Sequence, residues 1–319
     1  MRGVNFNNSP AVGIWQAPNP QAINVGEADY AEVGSWGANH VRLGLSYGWY
    51  DQSRATFFRV LDQHISWARR HRLWLIPVLY VLPGNCYEGY AKRCPLWGSA
   101  GEKRQLVDFW REVARRYANE RTVAGYDLLN EPFPPNDAAW YDLAQRVRDA
   151  VTSVDRNHFV VVEPTASNVF SHALRGRNVV YAGHFYTPLS LTTSYPGCSY
   201  PGQCDGTRWD KRAIEKGIRA GDLVDYRFSV AHDVPLLVDE VGTQKNPGYL
   251  RWASDVEGVF DELHLHWTYF VMKESPRPAG PGSSFGLYTC DGVANFSCPD
   301  RRLIRIQASH MAGDVRPSG

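Results

Sequence analysis

The chain has 319 residues, with 34 Lys and Arg against 33 Asp and Glu and a formal net charge of +1. This balance disfavours binding to nucleic acid or to an anionic membrane surface, because both depend on a strong positive field. Hydrophobic residues make up 44% of the chain, which is enough for a large core and argues against disorder. The 11 Trp and 17 Tyr residues exceed what such a core needs, so we expect some aromatic rings to serve outside it.

Short apolar runs alternate with longer helical patterns along the whole chain. The helical stripes include Phe57, Leu61 and Ile65, with cations at Arg69 and Arg70 where a helix would end. The apolar runs predict eight strands, at Arg2–Asn7, Ala38–Leu45, Trp74–Tyr80, Val123–Leu129, Phe159–Glu163, Val179–Phe185, Leu236–Glu240 and His266–Val271.

Most of these strands are continuously apolar, as is typical of parallel strands buried on both faces. The alternation predicts an α/β fold, a (β/α)8 TIM barrel that forms one catalytic domain over residues 1–319 with long strand-following loops. A doubly wound sheet is the alternative, but no G-x-G-x-x-G sequence follows the first strand.

The long strand-following loops hold all six cysteines. An even number of cysteines in such loops favours three short-range disulfides and an oxidising compartment, against the alternative of reduced thiols in a cytosolic protein. The local pairs are Cys86 with Cys94, Cys198 with Cys204, and Cys290 with Cys298. We therefore expect a secreted or extracytoplasmic monomer whose export signal has been removed. No apolar run reaches the ~18 to 20 residues that a membrane span needs.

Two carboxylates stand out because each ends an apolar strand. Glu131 ends the fourth predicted strand and precedes Pro132, and Glu240 ends the seventh. Strands four and seven lie on roughly opposite sides of an eight-stranded barrel, so we expect the two side chains to face each other about 5 Å apart, which suits a retaining glycosidase. The alternative for Glu131 and for Glu240 is that the residue is an ordinary charged residue at a strand end without a catalytic role. Strand alternation would turn the neighbouring Asp239 to the opposite face.

Several motifs are similar to those of the family 5 glycoside hydrolases, over most of the chain. They are Val41-Arg42-Leu43 on strand two, Asn130-Glu131-Pro132 on strand four, His184-Phe185-Tyr186 on strand six, Val238-Asp239-Glu240-Val241-Gly242 on strand seven, and Trp267 on strand eight. The resemblance implies a cellulase-like TIM barrel with Glu131 as acid/base and Glu240 as nucleophile.

The same resemblance implies roles for the neighbouring side chains. Asn130 would donate to the sugar 2-hydroxyl, and Arg42 would hold the nucleophile ionised by a charge-assisted hydrogen bond. Tyr186 would bond the nucleophile, with His184 completing the network. Trp267 would form the aromatic floor under the reacting sugar.

One position departs from the family pattern. Tyr80 stands where many relatives carry a His that touches the sugar beside the scissile bond. Further candidates for sugar contact are aromatic residues in strand-following loops, for which core packing is the alternative: Trp15, Trp49, Trp97 and Trp209. His264 and His266 lack a carboxylate at a familiar ligand spacing, so we predict no metal and no cofactor.

These observations predict a glycoside hydrolase that acts on a β-linked carbohydrate, with β-glucan as the expected substrate. A mannanase, an exo-acting β-glycosidase and a transglycosylase remain open alternatives on the same site. A carbohydrate-binding barrel without activity is the alternative from another class, but it should have lost a catalytic residue, and Asn130, Glu131, Tyr186 and Glu240 are all present.

Overall fold

A computed structural model describes residues 1–7, 25–87, 94–165, 170–193, 198–222, 224–274, 284–289, 297–313 and 315–317. Its centre is a closed barrel of eight parallel strands. In chain order the barrel strands are Arg2–Phe6, His40–Ser46, Trp74–Leu82, Gly125–Asp127, Phe159–Val162, Val179–Phe185, Leu236–Val241 and His266–Tyr269. We number them one to eight.

The barrel closes because the eighth strand pairs with the first. Arg2 lies opposite Trp267 in that ladder, and Gly3 lies opposite His40 in the ladder between strands one and two. The (β/α)8 prediction and all eight predicted strands are therefore confirmed, and the doubly wound alternative is wrong.

Helices surround the barrel. The helix Arg54–Arg70 carries the predicted apolar stripe, begins where the Ser53 side chain accepts the Thr56 backbone N–H, and ends on Arg69 and Arg70. The remaining helices are Glu27–Ser35, Tyr47–Gln52, Ala100–Tyr117, Asp137–Thr152, Leu189–Thr192, Lys211–Ala220, Tyr226–His232, Tyr249–Glu262 and Arg301–Met311, with a 3₁₀ turn at Pro95–Trp97.

The interior of the barrel changes from apolar to charged along the strands. An apolar layer is formed by Ile76, Val161, Ala182 and Leu237. Towards the carboxyl ends of the strands, Arg42, Asp127 and Asp239 are fully buried in place of further apolar residues. Because the cost of burying charge is recovered only by pairing, this charged layer indicates a functional site rather than a stabilising core.

Two of the three predicted disulfides, Cys86–Cys94 and Cys198–Cys204, are confirmed in the strand-following loops. Cys298 is also disulfide-bonded, while Cys290, its predicted partner, lies outside the described residues. Two short hairpins accompany these loops. Cys86–Tyr87 runs antiparallel to the end of strand three, and Gly202–Cys204 pairs with Thr207–Trp209. Within the described ranges, no helix is long and apolar enough to span a membrane.

Candidate active site

Glu131 and Glu240 meet at the carboxyl ends of strands four and seven. Their carboxylate oxygens lie within 4.8 Å of each other and of the His184 ring. The Glu131 side chain is 40% exposed, whereas that of Glu240 is only 5% exposed. One carboxylate of the pair is therefore open to solvent, and the other is held inside the barrel mouth.

Glu240 is held by three donors, two from strands two and three and one from the residue that follows strand six. Tyr80 donates its hydroxyl proton to Oε1 at 2.6 Å, and Tyr186 donates to Oε2 at 2.7 Å. Arg42 Nη1 also donates to Oε1, at 3.2 Å. Together these bonds fix the orientation of the Glu240 side chain.

Arg42 pairs with four buried carboxylates, and we call this set the Arg42 cluster. The guanidinium is fully buried, and its Nη2 also donates to Asn130 Oδ1 at 3.0 Å. The paired carboxylates are Asp127 at 2.7 Å, Glu163 at 2.7 Å, Asp239 at 3.1 Å and Glu240 at 3.2 Å. Because Asn130 accepts through its Oδ1, its amide N–H groups remain available as donors to a substrate hydroxyl.

A bulge in strand seven brings Asp239 into this cluster. Val238 lies opposite Gly183 of strand six, but Glu240 lies opposite the very next residue, His184, so Asp239 is an extra residue in the ladder. Its carboxylate lies 3.1 Å from Arg42 Nη2. The expectation that Asp239 turns to the opposite face from Glu240 is wrong, because a bulge suspends strict alternation.

Glu131 lies just beyond strand four in an unusual backbone conformation, with a φ of 47°. Its backbone N–H donates to Glu163 Oε2 at 2.7 Å. Its Oε1 lies 3.1 Å from Nδ1 of His184, whose other ring nitrogen lies 3.3 Å from Glu163 Oε2. The exposed carboxylate is therefore fixed both at its backbone and at its side chain.

Charge pairing outweighs burial for two groups of this network. Burial alone would lower the pKa of His184, but the charges of Glu240, Glu163 and Asp239 raise that pKa well above its ordinary value. Burial alone would raise the pKa of Glu163, but His184 and Arg42 lower it. The surrounding charges therefore favour the protonated form of His184 and the ionised form of Glu163.

Two other acids of the Arg42 cluster behave in the opposite way. Burial raises the pKa of Asp127 to about 7 despite the neighbouring Arg42. Burial and the charge of Glu163 raise the pKa of Asp239 well above its ordinary value. These shifts favour the protonated forms of Asp127 and Asp239, and protonation there limits the negative charge that one guanidinium must balance.

Side chains near the carboxylate pair are close enough to share a cation. The described groups are Glu131, His184 and Glu240, and below them Glu163, His184 and Asp239. Both groups depend on His184, whose pKa is raised by the carboxylates around it. Arg42 and His184 already supply positive charge at these positions, so the donor set fits charge pairing rather than a metal centre.

The aromatic floor predicted at Trp267 is wrong. Trp267 is fully buried, and it lies opposite Val238 in the ladder of strands seven and eight, on the side that packs against the helices. Directly after the same strand, the half-buried Phe270 packs edge-to-face against Tyr186, with ring centroids 6.5 Å apart. Phe270, and not Trp267, therefore lies beside Tyr186, a hydrogen-bond partner of Glu240.

The structure also changes the interpretation of the other aromatic candidates. Tyr80 is buried with its hydroxyl on Glu240, so it supports a carboxylate instead of presenting an open ring to a sugar. Trp49, Trp97 and Trp209 are half-buried and pack against the hydrophobic core. Their contact with sugar stays a prediction, and Trp15 lies outside the described residues.

Sequence reasoning brought most of the site together but missed Asp127, Glu163 and Phe270. Glu163 carries the signal that identified Glu131 and Glu240, because it follows the apolar run Phe159–Val162 and precedes a proline. Asp127 is a charged residue inside an apolar strand, which is itself a sign of function. For Phe270, only its position near the end of the predicted eighth strand could have indicated a role in the site.

A TIM barrel whose fourth and seventh strands end in paired carboxylates has the architecture of a glycoside hydrolase, and the comparisons agree. The sequence model described as "Cellulase (glycosyl hydrolase family 5)" matches residues 3–275. The chain belongs to glycosyl hydrolase family 5, so the family resemblance is confirmed.

Curated relatives share only part of their length with the chain. It is 25% identical over 208 residues to Endoglucanase C of Acetivibrio thermocellus, covering 56% of this chain and 59% of that protein. It is 27% identical over 180 residues to a beta-xylosidase of Phanerodontia chrysosporium, covering 50% and 37%.

Solved structures match over nearly the whole chain at low identity. One is the endoglucanase Cel5A from Thermotoga maritima, with a TM-score of 0.74 and 16% identity over 96% of both chains. Another, described as a glycoside hydrolase, has a TM-score of 0.77 and 20% identity, covering 97% of this chain and 98% of that one. These likenesses concern the fold.

Proposed function

We propose that the protein is a retaining β-glycosidase that hydrolyses a β-linked glycan, with β-glucan as its substrate. The observation that carries the proposal is the approach of the Glu131 and Glu240 carboxylate oxygens to within 4.8 Å. Retaining enzymes hold their carboxyl groups about 5 to 5.5 Å apart, whereas inverting enzymes need roughly 6.5 to 9.5 Å to admit a water molecule. The endoglucanase names of several relatives support β-glucan as the substrate.

In the first step, Glu131 gives its proton to the leaving oxygen while Glu240 attacks the anomeric carbon. The bond from that carbon to the leaving oxygen breaks, and a glycosyl ester of Glu240 forms. In the second step, water attacks the same carbon and gives a proton to Glu131, and the ester electrons return to the Glu240 carboxylate. Two inversions at one carbon retain the configuration.

The side chains around the pair have roles that follow from their contacts. Arg42, Tyr80 and Tyr186 stabilise the Glu240 carboxylate before the first step and as it leaves in the second. Asn130, oriented by Arg42, donates to the sugar 2-hydroxyl. The exposed Glu131 is open to the leaving group and to the incoming water.

The experiment is a panel of β-glucan, β-mannan, xylan and aryl β-glycosides, with product sizing and with NMR of the anomer released first. Mannan belongs in the panel because Thermotoga maritima Cel5A, a structural neighbour, is described in complex with mannotriose. We expect cleavage of β-glucan with a β-configured first product. No release from any substrate would overturn the proposal, and an α-configured first product would overturn the retaining mechanism.

We also propose that the enzyme works outside the cytoplasm. The disulfides Cys86–Cys94 and Cys198–Cys204 support this location, because such bonds persist in oxidising compartments. Labelling of free thiols in protein isolated under non-reducing conditions tests it. Quantitative labelling of these four cysteines would contradict it.

A further inference from the structure

A third carboxylate touches the proposed acid/base from two directions. Glu163 directly follows strand five, and its side chain is only 3% exposed. Its Oε2 accepts the Glu131 backbone N–H at 2.7 Å and lies 3.3 Å from His184 Nε2. His184 Nδ1 in turn lies 3.1 Å from Glu131 Oε1. Both the backbone and the side chain of Glu131 are thus connected to one buried oxygen atom.

The backbone contact matters because Glu131 has a φ of 47°. A residue other than glycine pays about 1 to 2 kcal/mol to adopt the left-handed region, and it stays there only when its surroundings hold it. The charge-assisted bond from the Glu131 N–H to Glu163 supplies such a hold. It therefore sets the direction in which the Glu131 side chain leaves the backbone.

Glu163 is itself held firmly in place. Its Oε1 accepts from Arg42 Nη2 at 2.7 Å, and its backbone carbonyl accepts the Trp140 indole N–H at 2.8 Å. Arg42 and His184 keep Glu163 ionised, so its carboxylate only accepts hydrogen bonds. Facing His184, this charge favours a protonated ring that directs its Nδ1–H at Glu131.

We propose that Glu163 is the positioning residue of the acid/base Glu131. The inference rests on the proposed function, because it takes Glu131 as the proton donor to the leaving group. Glu163 orients the Glu131 carboxyl group and, through His184, holds an N–H against the carboxylate that remains after the proton has moved to the leaving oxygen. It acts through these two residues and not by contact with the sugar.

The test is a leaving-group series on Glu163→Gln. The glutamine keeps the shape but presents an amide N–H₂ to one of the donors that now point at Glu163. We expect kcat/KM to fall about 100-fold for a phenyl β-glycoside, whose departure needs a proton, and less than about 10-fold for the dinitrophenyl β-glycoside, which leaves as an anion. A structural role alone would lower both rates equally.

Asp127→Asn is the matched control. Asp127 is also fully buried and pairs with the same guanidinium at 2.7 Å. Among the hydrogen bonds of the described residues, none joins it to Glu131. We expect this variant to lose activity by the same factor on both substrates.

Equal losses in Glu163→Gln would overturn the positioning role. If that variant does not fold, Glu163→Asp replaces it, because the shorter carboxylate cannot reach Arg42 and the Glu131 N–H together, and the same leaving-group dependence is expected. A wild-type protein that cleaves no aryl β-glycoside or glycan would refute the proposed function itself. Cleavage by the wild type with equal losses in the variant would refute only the role of Glu163.

Discussion

The Tyr80 hydroxyl donates to Glu240 Oε1 at 2.6 Å while accepting a bond from Arg42 Nη1 at 2.9 Å. Burial raises the pKa of Tyr80 well above its ordinary value, so the hydroxyl keeps its proton at neutral pH. The Tyr87 ring, brought over by the hairpin at Cys86–Tyr87, stacks on Tyr80 with centroids 6.0 Å apart. With Tyr186 on the other oxygen, Glu240 lies between two tyrosine hydroxyls.

Replacing Tyr80 with Phe removes one of these donors and leaves the ring packing intact. A hydrogen bond to a charged group contributes about 1.5 to 3 kcal/mol, so we expect kcat to fall roughly 10- to 100-fold. The second step should suffer more, because Glu240 is the leaving group there. Stopped-flow measurements on an activated aryl glycoside should show a burst followed by a slower steady state than that of the wild type. Unchanged kcat would mean that Tyr80 serves packing alone.

Glu240→Ala removes the proposed nucleophile, and we expect kcat to fall by a factor on the order of 10⁶. Azide can then attack the anomeric carbon from the vacated side, restoring some turnover with an inverted glycosyl azide as product. NMR of the azide product is the measurement. Rescue of this variant with retained configuration would identify Glu131 as the nucleophile instead.

Trp267 and Phe270 form a matched pair, with one ring in the core and one at the site. We expect Trp267→Ala to lower the free energy of unfolding by about 3 to 5 kcal/mol, because the ring is fully buried. Phe270→Ala should largely keep the stability and raise KM about tenfold, as expected when an aromatic contact worth about 1.4 kcal/mol is lost. Denaturant unfolding and steady-state kinetics on both variants test this. The reverse pattern would restore Trp267 as the sugar platform.

His184 should make stability depend on pH. Its folded-state pKa lies well above the ordinary 6.5, so its stabilisation is complete below about pH 6.5 and is lost as the pH rises through the folded-state value. Above pH 7 we expect the wild type to lose stability progressively and His184→Gln to lose less. Urea unfolding at a series of pH values measures both slopes. If the free energy of unfolding depended on pH equally in the wild type and in His184→Gln, protonation of His184 would not be the cause of the pH dependence.

The barrel could be predicted because its strands are apolar on both faces and alternate regularly with helical stripes. Because both faces of each strand are apolar, the sequence does not show in which direction each side chain points. Nearly every residue is buried in strands Leu236–Val241 and His266–Tyr269. The sequence pattern therefore does not indicate which side chains point into the barrel and which point towards the helices, and the prediction placed Trp267 on the wrong side. The bulge at Asp239 has no signature in such a run either, since it depends on pairing with strand six.

Residues joined by long-range contacts were only partly accessible to sequence reasoning. Asn130 and Glu131 are adjacent and were found together. Glu163 contacts Glu131 across 32 positions of the chain, and only the barrel geometry brings them together. The hydroxyl of Tyr80 likewise reaches Glu240 across 160 positions, so its place on a carboxylate instead of a sugar could not be read from strand three alone.

The burial of Arg42 also determines how the site responds to salt. Dissolved ions weaken attraction between charges that water surrounds, and they act far less on pairs enclosed by protein. The ion pair of Arg116 with Asp62 lies in water, with side chains that are 46% and 44% exposed. No side chain of the Arg42 cluster is more than 5% exposed, so its ion pairs are enclosed by protein. We therefore expect the contacts that hold Glu240 to depend less on ionic strength than the surface ion pairs do.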